Sequence, residues 1–146
     1  MNSNTDPIKR ERTVQVVSDF FNLLETMNIE QWIDLWTEDG VHHMPYAPSG
    51  FPNRVEGKTA IYRHFNVLPK TIKRMAFVDR KIYPMLNSDQ VFAEYRGEVE
   101  IAETGRPYNN NYCGLFQLED NRLVSVTEYF NPLVFIEAFG DTLQKV

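Results

Sequence analysis

The 146-residue sequence predicts an α+β fold, with helices first and a meander of antiparallel strands after them. Apolar residues recur at helical spacing over residues 8–27, whereas residues 91–101 alternate between apolar and polar side chains, as in a half-buried strand. Residues 109–132 have the pattern of a β-hairpin. Because the sheet must bury one face, we expect a curved antiparallel sheet wrapped on the N-terminal helices, a cone-shaped domain with an internal cavity.

The length fits one domain over residues 1–146, with residues 1–7 as a flexible tail. The net charge of −5 and the absence of a Lys/Arg-rich run argue against a nucleic-acid partner. Residues 1–7 lack the apolar core of a signal peptide, and no apolar run is long enough for a membrane span. We therefore expect a cytoplasmic protein with no membrane partner. The single cysteine, Cys113, excludes an internal disulfide.

The element order follows from local signals. Helices are predicted at 8–27, from 29 to 35 or 36, and at 58–67, where Pro69 ends the third. A turn at 37–40, a short strand at 41–46 and a Pro/Gly loop at 47–53 lie between the second and third helices. The strands are predicted at 75–83, at 91–101 and in the hairpin with its turn at 119–121. Residues 133–139 form a short apolar helix or strand.

Glu128 is the most unusual residue of the hairpin. Alternation places it on one face with Val124, Val126 and Phe130. That face is either exposed or lines a cavity, and its apolar members favour the cavity. A carboxylate in an apolar pocket is disfavoured as an anion, so Glu128 can exchange protons near neutral pH. The alternative is an exposed strand glutamate, or one paired with a neighbouring arginine.

The order of elements resembles the NTF2-like, SnoaL-type superfamily of α+β cone domains. The segments 112–113, 118–122 and 127–132, together with Gly57-Lys58 followed by His64, are similar to the phenazine-biosynthesis PhzA/PhzB proteins. This resemblance implies a homodimer with a hydrophobic pocket, in which a Glu and a His assist condensation of an aminocyclohexenone-type intermediate. By position these are Glu128 and His64. Residues 41–53 and Leu68 depart from the family pattern, which favours another cyclic substrate.

The candidate catalytic residues are therefore Glu128 and His64, although a histidine packed at the edge of the core is the plain alternative for His64. Adjacent histidines alternate across a strand, so at most one of His42 and His43 faces the pocket and no metal site is expected. For each tyrosine, a core aromatic with a satisfied hydroxyl is the alternative to a substrate contact. The candidate substrate-binding residues are Tyr112, Tyr46, Asn110, His43, Trp36 and Phe130.

Together these features predict an acid/base enzyme without a cofactor that condenses, cyclises or isomerises a small cyclic metabolite of secondary metabolism. The expected partners are that substrate and a second copy of the chain, paired through the sheet. Two alternatives remain. One is a ketosteroid-isomerase-like enzyme in the same cone, and the other is a non-catalytic, small-molecule-binding dimer.

Overall fold

The computed structural model describes residues 6–143, which form five α-helices, one short 3-10 helix (Ile33–Leu35) that follows the second of them, and six strands. The helices are α1 (Pro7–Glu25), α2 (Ile29–Trp32), α3 (Lys58–Phe65), α4 (Leu68–Thr71) and α5 (Pro132–Leu143). The strands are β1 (Trp36–His43), β2 (Arg54–Glu56), β3 (Ile72–Pro84), β4 (Gln90–Ile101), β5 (Pro107–Glu119) and β6 (Arg122–Phe130). The predicted α+β class with N-terminal helices is confirmed. The predicted tail at residues 1–7 lies mostly outside the described residues.

The six strands form one curved sheet in the order β2-β1-β6-β5-β4-β3. The meander β3 to β6 is antiparallel, as predicted. The predicted antiparallel sheet has one exception, because β1 runs parallel to β6. The predicted turn at 37–40 is instead part of β1, at the irregularity where the register with β6 shifts between Trp36 and Val41. Residues 54–56, for which the sequence predicts no element, form the edge strand β2 against β1.

Local chemistry explains most of the helix bounds. Asp6 caps α1, since its carboxylate accepts a hydrogen bond from Ile8 N–H at 2.9 Å, and Pro7 occupies the first turn. The third helix ends at Phe65, earlier than predicted. Pro69 does not end that helix but lies in the first turn of α4, where its missing N–H is harmless. Residues 133–139 fall within α5.

The inner face of the sheet packs against α1 and α2 over an aromatic core. Phe20, Phe21, Trp32, Trp36 and Phe116 are at most 1% exposed. Their ring centroids lie 5.1 to 6.4 Å apart in tilted or edge-to-face pairs, a favourable geometry for aromatic side chains. This core fixes the strands that carry the cavity described below.

A bulge in β6 changes which side chains face inward at its start. Gln117 pairs with Ser125 while Leu118 pairs with Leu123, so Val124 is an extra residue in β6. Leu123 is fully buried and Val124 only half-buried, which corrects the predicted faces at this end. Beyond the bulge, Val126, Glu128 and Phe130 face inward as predicted.

Within residues 6–143, no helix combines the length and the apolar character that a membrane crossing requires.

Candidate active site

A cavity of about 380 Å³ lies between the inner face of the sheet and the helices α3, α4 and α5. This volume is within the range of small-molecule sites. Its wall is mostly apolar and includes the rings of Phe51, Phe65, Phe77, Phe130, Phe135 and Phe139. The polar residues in the interior are His42, His64, Tyr108, Tyr112 and Glu128, while the exposed residues Lys70, Thr71 and Glu103 form the rim.

The side chains of Glu128 and His42 are paired inside this cavity. The parallel register aligns His42 with Val126, so Glu128, two residues further along β6, lies on the same face. The distance from His42 Nε2 to Glu128 Oε1 is 2.6 Å. The side chain of His42 is 1% exposed and that of Glu128 is 12% exposed. Glu128 is therefore the member of the pair that a molecule in the cavity can touch, and His42 supports it from behind.

The surroundings of His42 indicate its tautomer. Its Nδ1 is buried and has no hydrogen-bond partner within the described part of the chain. The flanking rings are those of Trp36 and Phe65, at centroid distances of 6.1 and 5.4 Å. A buried N–H without a partner is costlier than a buried lone pair. We infer that Nε2 carries the proton and donates it to the Glu128 carboxylate.

The second oxygen of Glu128 is held by Tyr95, whose hydroxyl donates to Oε2. Tyr95 is 3% exposed, and burial together with the Glu128 charge raises its pKa well above its usual value. Gly114, opposite Glu128 in the β5–β6 register, leaves room for this contact, since a Cβ there would lie 3.1 Å from Tyr95 Oη. Each carboxylate oxygen accepts one hydrogen bond from the protein and keeps a lone pair for a bound molecule.

Tyr108 and Tyr112 present a second polar group on the cavity wall. Their hydroxyl oxygens are 2.7 Å apart. The ring of Tyr112 stacks on Tyr95 with a centroid distance of 5.4 Å and an interplanar angle of 4°. Burial raises the pKa of both phenols, so both keep their protons at neutral pH and can donate hydrogen bonds.

His64 lines the same cavity on α3, but the structure does not pair it with Glu128. Its ring lies between Phe51 and Phe65, at centroid distances of 5.5 and 5.2 Å. Burial lowers the pKa of His64 below the usual 6.5, and the proximity of His42 lowers it further. His64 is therefore a neutral polar group near pH 7 that can donate or accept one hydrogen bond.

Four of the predicted substrate-binding residues lie outside the cavity. Tyr46 is 57% exposed and packs on Tyr129. Trp36 is fully buried in the aromatic core. His43 points to the opposite face of β1 from His42, and Asn110 is buried behind Tyr108. The prediction that these four line the pocket is corrected, whereas Tyr112 and Phe130 do line it.

Sequence reasoning left open which of His42 and His43 faces inward, and it did not place Tyr95 among the candidate site residues. The one signal available for His42 was the rule that only one of the two can face inward. The signal available for Tyr95 was its alternation onto one face of β4 with Ala93 and Gly97. Within residues 6–143 no three His, Cys, Asp or Glu side chains are grouped closely enough to hold a metal ion.

Comparison with known proteins places this geometry in a family. Residues 17–126 match the family model of the SnoaL-like domain. Protein YesE of Bacillus subtilis, which is uncharacterised, is 36% identical over 130 residues, covering 89% of this chain and 88% of YesE. An uncharacterised PhzA/B-like protein of Pseudomonas aeruginosa is 27% identical over 126 residues, covering 86% of this chain and 89% of the relative.

Several solved structures are also similar to this chain. A proposed isomerase from Bacillus subtilis is 35% identical and superposes with a TM-score of 0.84 over 96% of each chain. A phenazine biosynthesis-related protein of Pseudomonas aeruginosa gives a TM-score of 0.77 at 19% identity, over 90% of this chain and 87% of the other. A proposed polyketide cyclase from Xanthomonas campestris gives 0.76 at 19% identity, over 89% and 98%. The last two likenesses show the fold alone. The chain belongs to the SnoaL-like family of NTF2-like domains, and its closeness to the PhzA/PhzB proteins is confirmed.

Proposed function

We propose that this protein is an acid/base enzyme that removes a proton next to the carbonyl group of a small cyclic, partly apolar molecule. One observation carries the proposal: the hydrogen-bonded pair of His42 and Glu128 lies in a largely apolar cavity of small-molecule size. A positioned carboxylate from which bulk water is largely excluded is a suitable general base.

The roles follow from exposure and hydrogen bonding. Glu128 is the catalytic base, since it is the member of the pair open to the cavity. His42 and Tyr95 fix its carboxylate, one on each oxygen. Tyr112 donates a hydrogen bond to the oxygen on which negative charge develops when the proton leaves carbon. His64, on the opposite wall, contacts the far side of the ring or passes a proton to it.

The same first step serves two reaction classes. If Glu128 returns the proton to a different carbon, the result is an isomerisation. If the enolate attacks a second carbonyl carbon, the result is a cyclisation or condensation. The similarity to a proposed isomerase at 35% identity supports these reaction classes. Condensation of a phenazine precursor, as in PhzA/PhzB proteins, is the narrower form of the proposal and is supported by the PhzA/B-like relative at 27% identity.

Exchange of carbon-bound hydrogen for deuterium tests the base directly. The probe is 2-tetralone, a bicyclic ketone with acidic hydrogens next to its carbonyl, followed by proton NMR in D₂O. We expect the protein to accelerate exchange over buffer at the same pH. Glu128→Gln keeps the shape of the side chain but cannot take the proton, so the accelerated rate should fall by about 10²- to 10⁴-fold.

The matched control is Glu103→Gln, which neutralises the carboxylate at the exposed rim of the cavity. It should retain the exchange rate. Equal rates in Glu128→Gln and the unaltered protein would refute the assignment of the base. Binding of 2-tetralone without any acceleration by the unaltered protein would instead support a non-catalytic binding domain. The expected homodimer stays a prediction, which light scattering would test.

A further inference from the structure

We propose that Asn110 is a positioning residue that sets the direction of the Tyr108–Tyr112 hydrogen bond, so that Tyr112 offers its proton to a carbonyl oxygen in the cavity. The carbonyl ligand is taken from the proposed function. The test below measures binding alone, so it can succeed or fail independently of catalysis by Glu128.

The orientation of the Asn110 amide is fixed by the backbone of Asn131. Asn110 is 2% exposed. Its Oδ1 accepts from Asn131 N–H at 3.3 Å, and its Nδ2 donates to the Asn131 carbonyl at 3.0 Å. If the amide were turned over, its Nδ2 would face the Asn131 N–H, donor against donor, and its Oδ1 would face the Asn131 carbonyl, acceptor against acceptor. The backbone groups thus remove the usual ambiguity between the amide oxygen and nitrogen.

With Nδ2 fixed, its other hydrogen points to Tyr108. Asn110 Nδ2 donates to the Tyr108 hydroxyl oxygen at 2.9 Å. A phenol has one O–H to donate, and its oxygen acts as one good acceptor. Since Asn110 already occupies the acceptor position, the Tyr108 O–H donates to Tyr112, 2.7 Å away.

The same reasoning then applies to Tyr112. Its oxygen accepts from Tyr108, and Tyr108 is its one side-chain hydrogen-bond partner among residues 6–143. Its own O–H is therefore free, and Tyr112 lines the cavity. The chain of donors runs from Asn110 through Tyr108 to Tyr112 and ends at the ligand. Hydrogen bonds polarised in one direction strengthen one another, which makes Tyr112 a better donor.

Asn131 also connects these hydrogen bonds to the start of α5. It directly precedes α5, whose residues Phe135 and Phe139 cover the cavity. The Asn131 side chain accepts from Leu133 N–H at 3.0 Å, at the start of the helix. Asn110 thus joins the base of the covering helix to the hydroxyl groups below it.

Two probes of equal shape isolate the donor. 2-Tetralone carries a carbonyl and tetralin is the same bicycle without it, so the ratio of their dissociation constants reports the hydrogen bond to the carbonyl and largely cancels changes in cavity shape. Both constants are measured by ligand-observed NMR titration on the full chain. We expect Tyr112→Phe to lower the preference for the ketone about tenfold. Tyr108→Phe should lower it far less, because Tyr112 keeps its free proton and loses only the polarising donor.

The Asn110 variants test the direction of the hydrogen bonds that run from Asn110 through Tyr108 to Tyr112. In Asn110→Asp, the carboxylate accepts from the Tyr108 O–H, which reverses the chain and turns the Tyr112 proton away from the ligand. The ratio should fall as in Tyr112→Phe, and adding Tyr108→Phe to Asn110→Asp should restore it. A purely structural role for Asn110 predicts no such restoration.

Where Asn110→Asp does not fold, as judged by urea unfolding, Asn110→Ala removes the donor without adding a charge and should give an intermediate ratio. Loss of the ratio in Tyr108→Phe would overturn the proposal, because Tyr108 would then be the donor to the ligand. An unchanged ratio in a folded Asn110→Asp protein, or in Asn110→Ala where the Asp variant fails, would overturn it as well.

Discussion

The inner face of the sheet is filled at one end and hollow at the other. At the packed end, which we define by Phe20, Trp32, Trp36 and Phe116, the side chains are at most 1% exposed. At the hollow end, which we define by the lining of the cavity, aromatic rings surround open space. Both ends use the same strands and similar residue types, so composition does not explain the difference.

The covering elements do explain it. The 19-residue helix α1 lies on the packed end with α2, whereas the hollow end is covered by α3, α4 and α5, of which α4 has only four residues. Gly97 also removes a side chain from the hollow face, where a Cβ would lie 3.2 Å from the Tyr112 ring. The cavity therefore forms where the long helix α1 is replaced by helices of 4 to 12 residues and one strand residue has no side chain.

The candidate catalytic residues lie at the boundary between the two ends. The ring of His42 contacts Trp36 of the packed end and Phe65 of the cavity wall. Tyr95 contacts Phe21 at 4.5 Å on one side and Tyr112 at 5.4 Å on the other. A base at this boundary is held by dense packing behind it and meets open space in front, which is the preorganisation that catalysis requires.

Truncation of one ring at each end should give the largest contrast. Phe20→Ala opens a void among four contacting rings, so we expect the free energy of unfolding to fall by about 3 to 5 kcal/mol. Phe139→Ala merely widens an existing cavity and should cost less than half as much. Urea unfolding of both variants measures the difference. Equal losses would mean that the hollow end is packed as tightly as the other.

Two buried glycines on the neighbouring strands β4 and β5 test where the boundary between the packed and hollow ends lies. In Gly114→Ala the new Cβ lies 3.0 Å from Phe116 and 3.1 Å from Tyr95 Oη, both buried, so we expect a loss of about 1 to 3 kcal/mol and a displaced Tyr95 hydroxyl. In Gly97→Ala the Tyr112 ring can move into the cavity, so the loss should be smaller. Urea unfolding measures the stability, and the 2-tetralone exchange rate reports the Tyr95–Glu128 contact. A larger loss for Gly97→Ala would contradict the boundary drawn here.

The sequence predicted the parts of this arrangement that depend on local pattern. Period-two alternation gave β4, the hairpin and the inward face of Glu128, because each signal lies within one strand. His42 depends instead on a contact 86 residues away in sequence, made through a parallel strand pair that no local pattern indicates. The sequence left open which of His42 and His43 faces the cavity, although the candidate list named His43, and a shift of one residue reverses every face of a strand.

Asn110 illustrates a different difficulty. Its place on the inward face of β5 was predicted, together with a role in binding substrate. Its amide instead hydrogen-bonds the backbone of Asn131, 21 residues further along the chain. Alternation predicts the face of a side chain, but it does not distinguish a group that touches the cavity from one that is buried behind another side chain.

The smallest effect that we expect at the hollow end is the contribution of His64 to the pH dependence of stability. Burial lowers the pKa of His64 below 6.5, so below that pH the unfolded chain binds a proton that the folded protein does not. Stability therefore falls as the pH falls through this window, by at most about 1.4 kcal/mol per pH unit for this one group. We expect His64→Gln to reduce the loss of unfolding free energy between pH 7.5 and pH 5.5.

The control is Arg63→Gln at the neighbouring exposed position. Since arginine side chains in general do not titrate in this range, this change should shift stability equally at both pH values. His43 also has a pKa lowered by burial and by Arg54, so part of the dependence should persist in His64→Gln. Identical slopes in His64→Gln and the unaltered protein would mean that His64 is fully hydrated in solution. In that case the cavity would hold water at its α3 wall, and the exclusion of water would be confined to the side that carries Glu128.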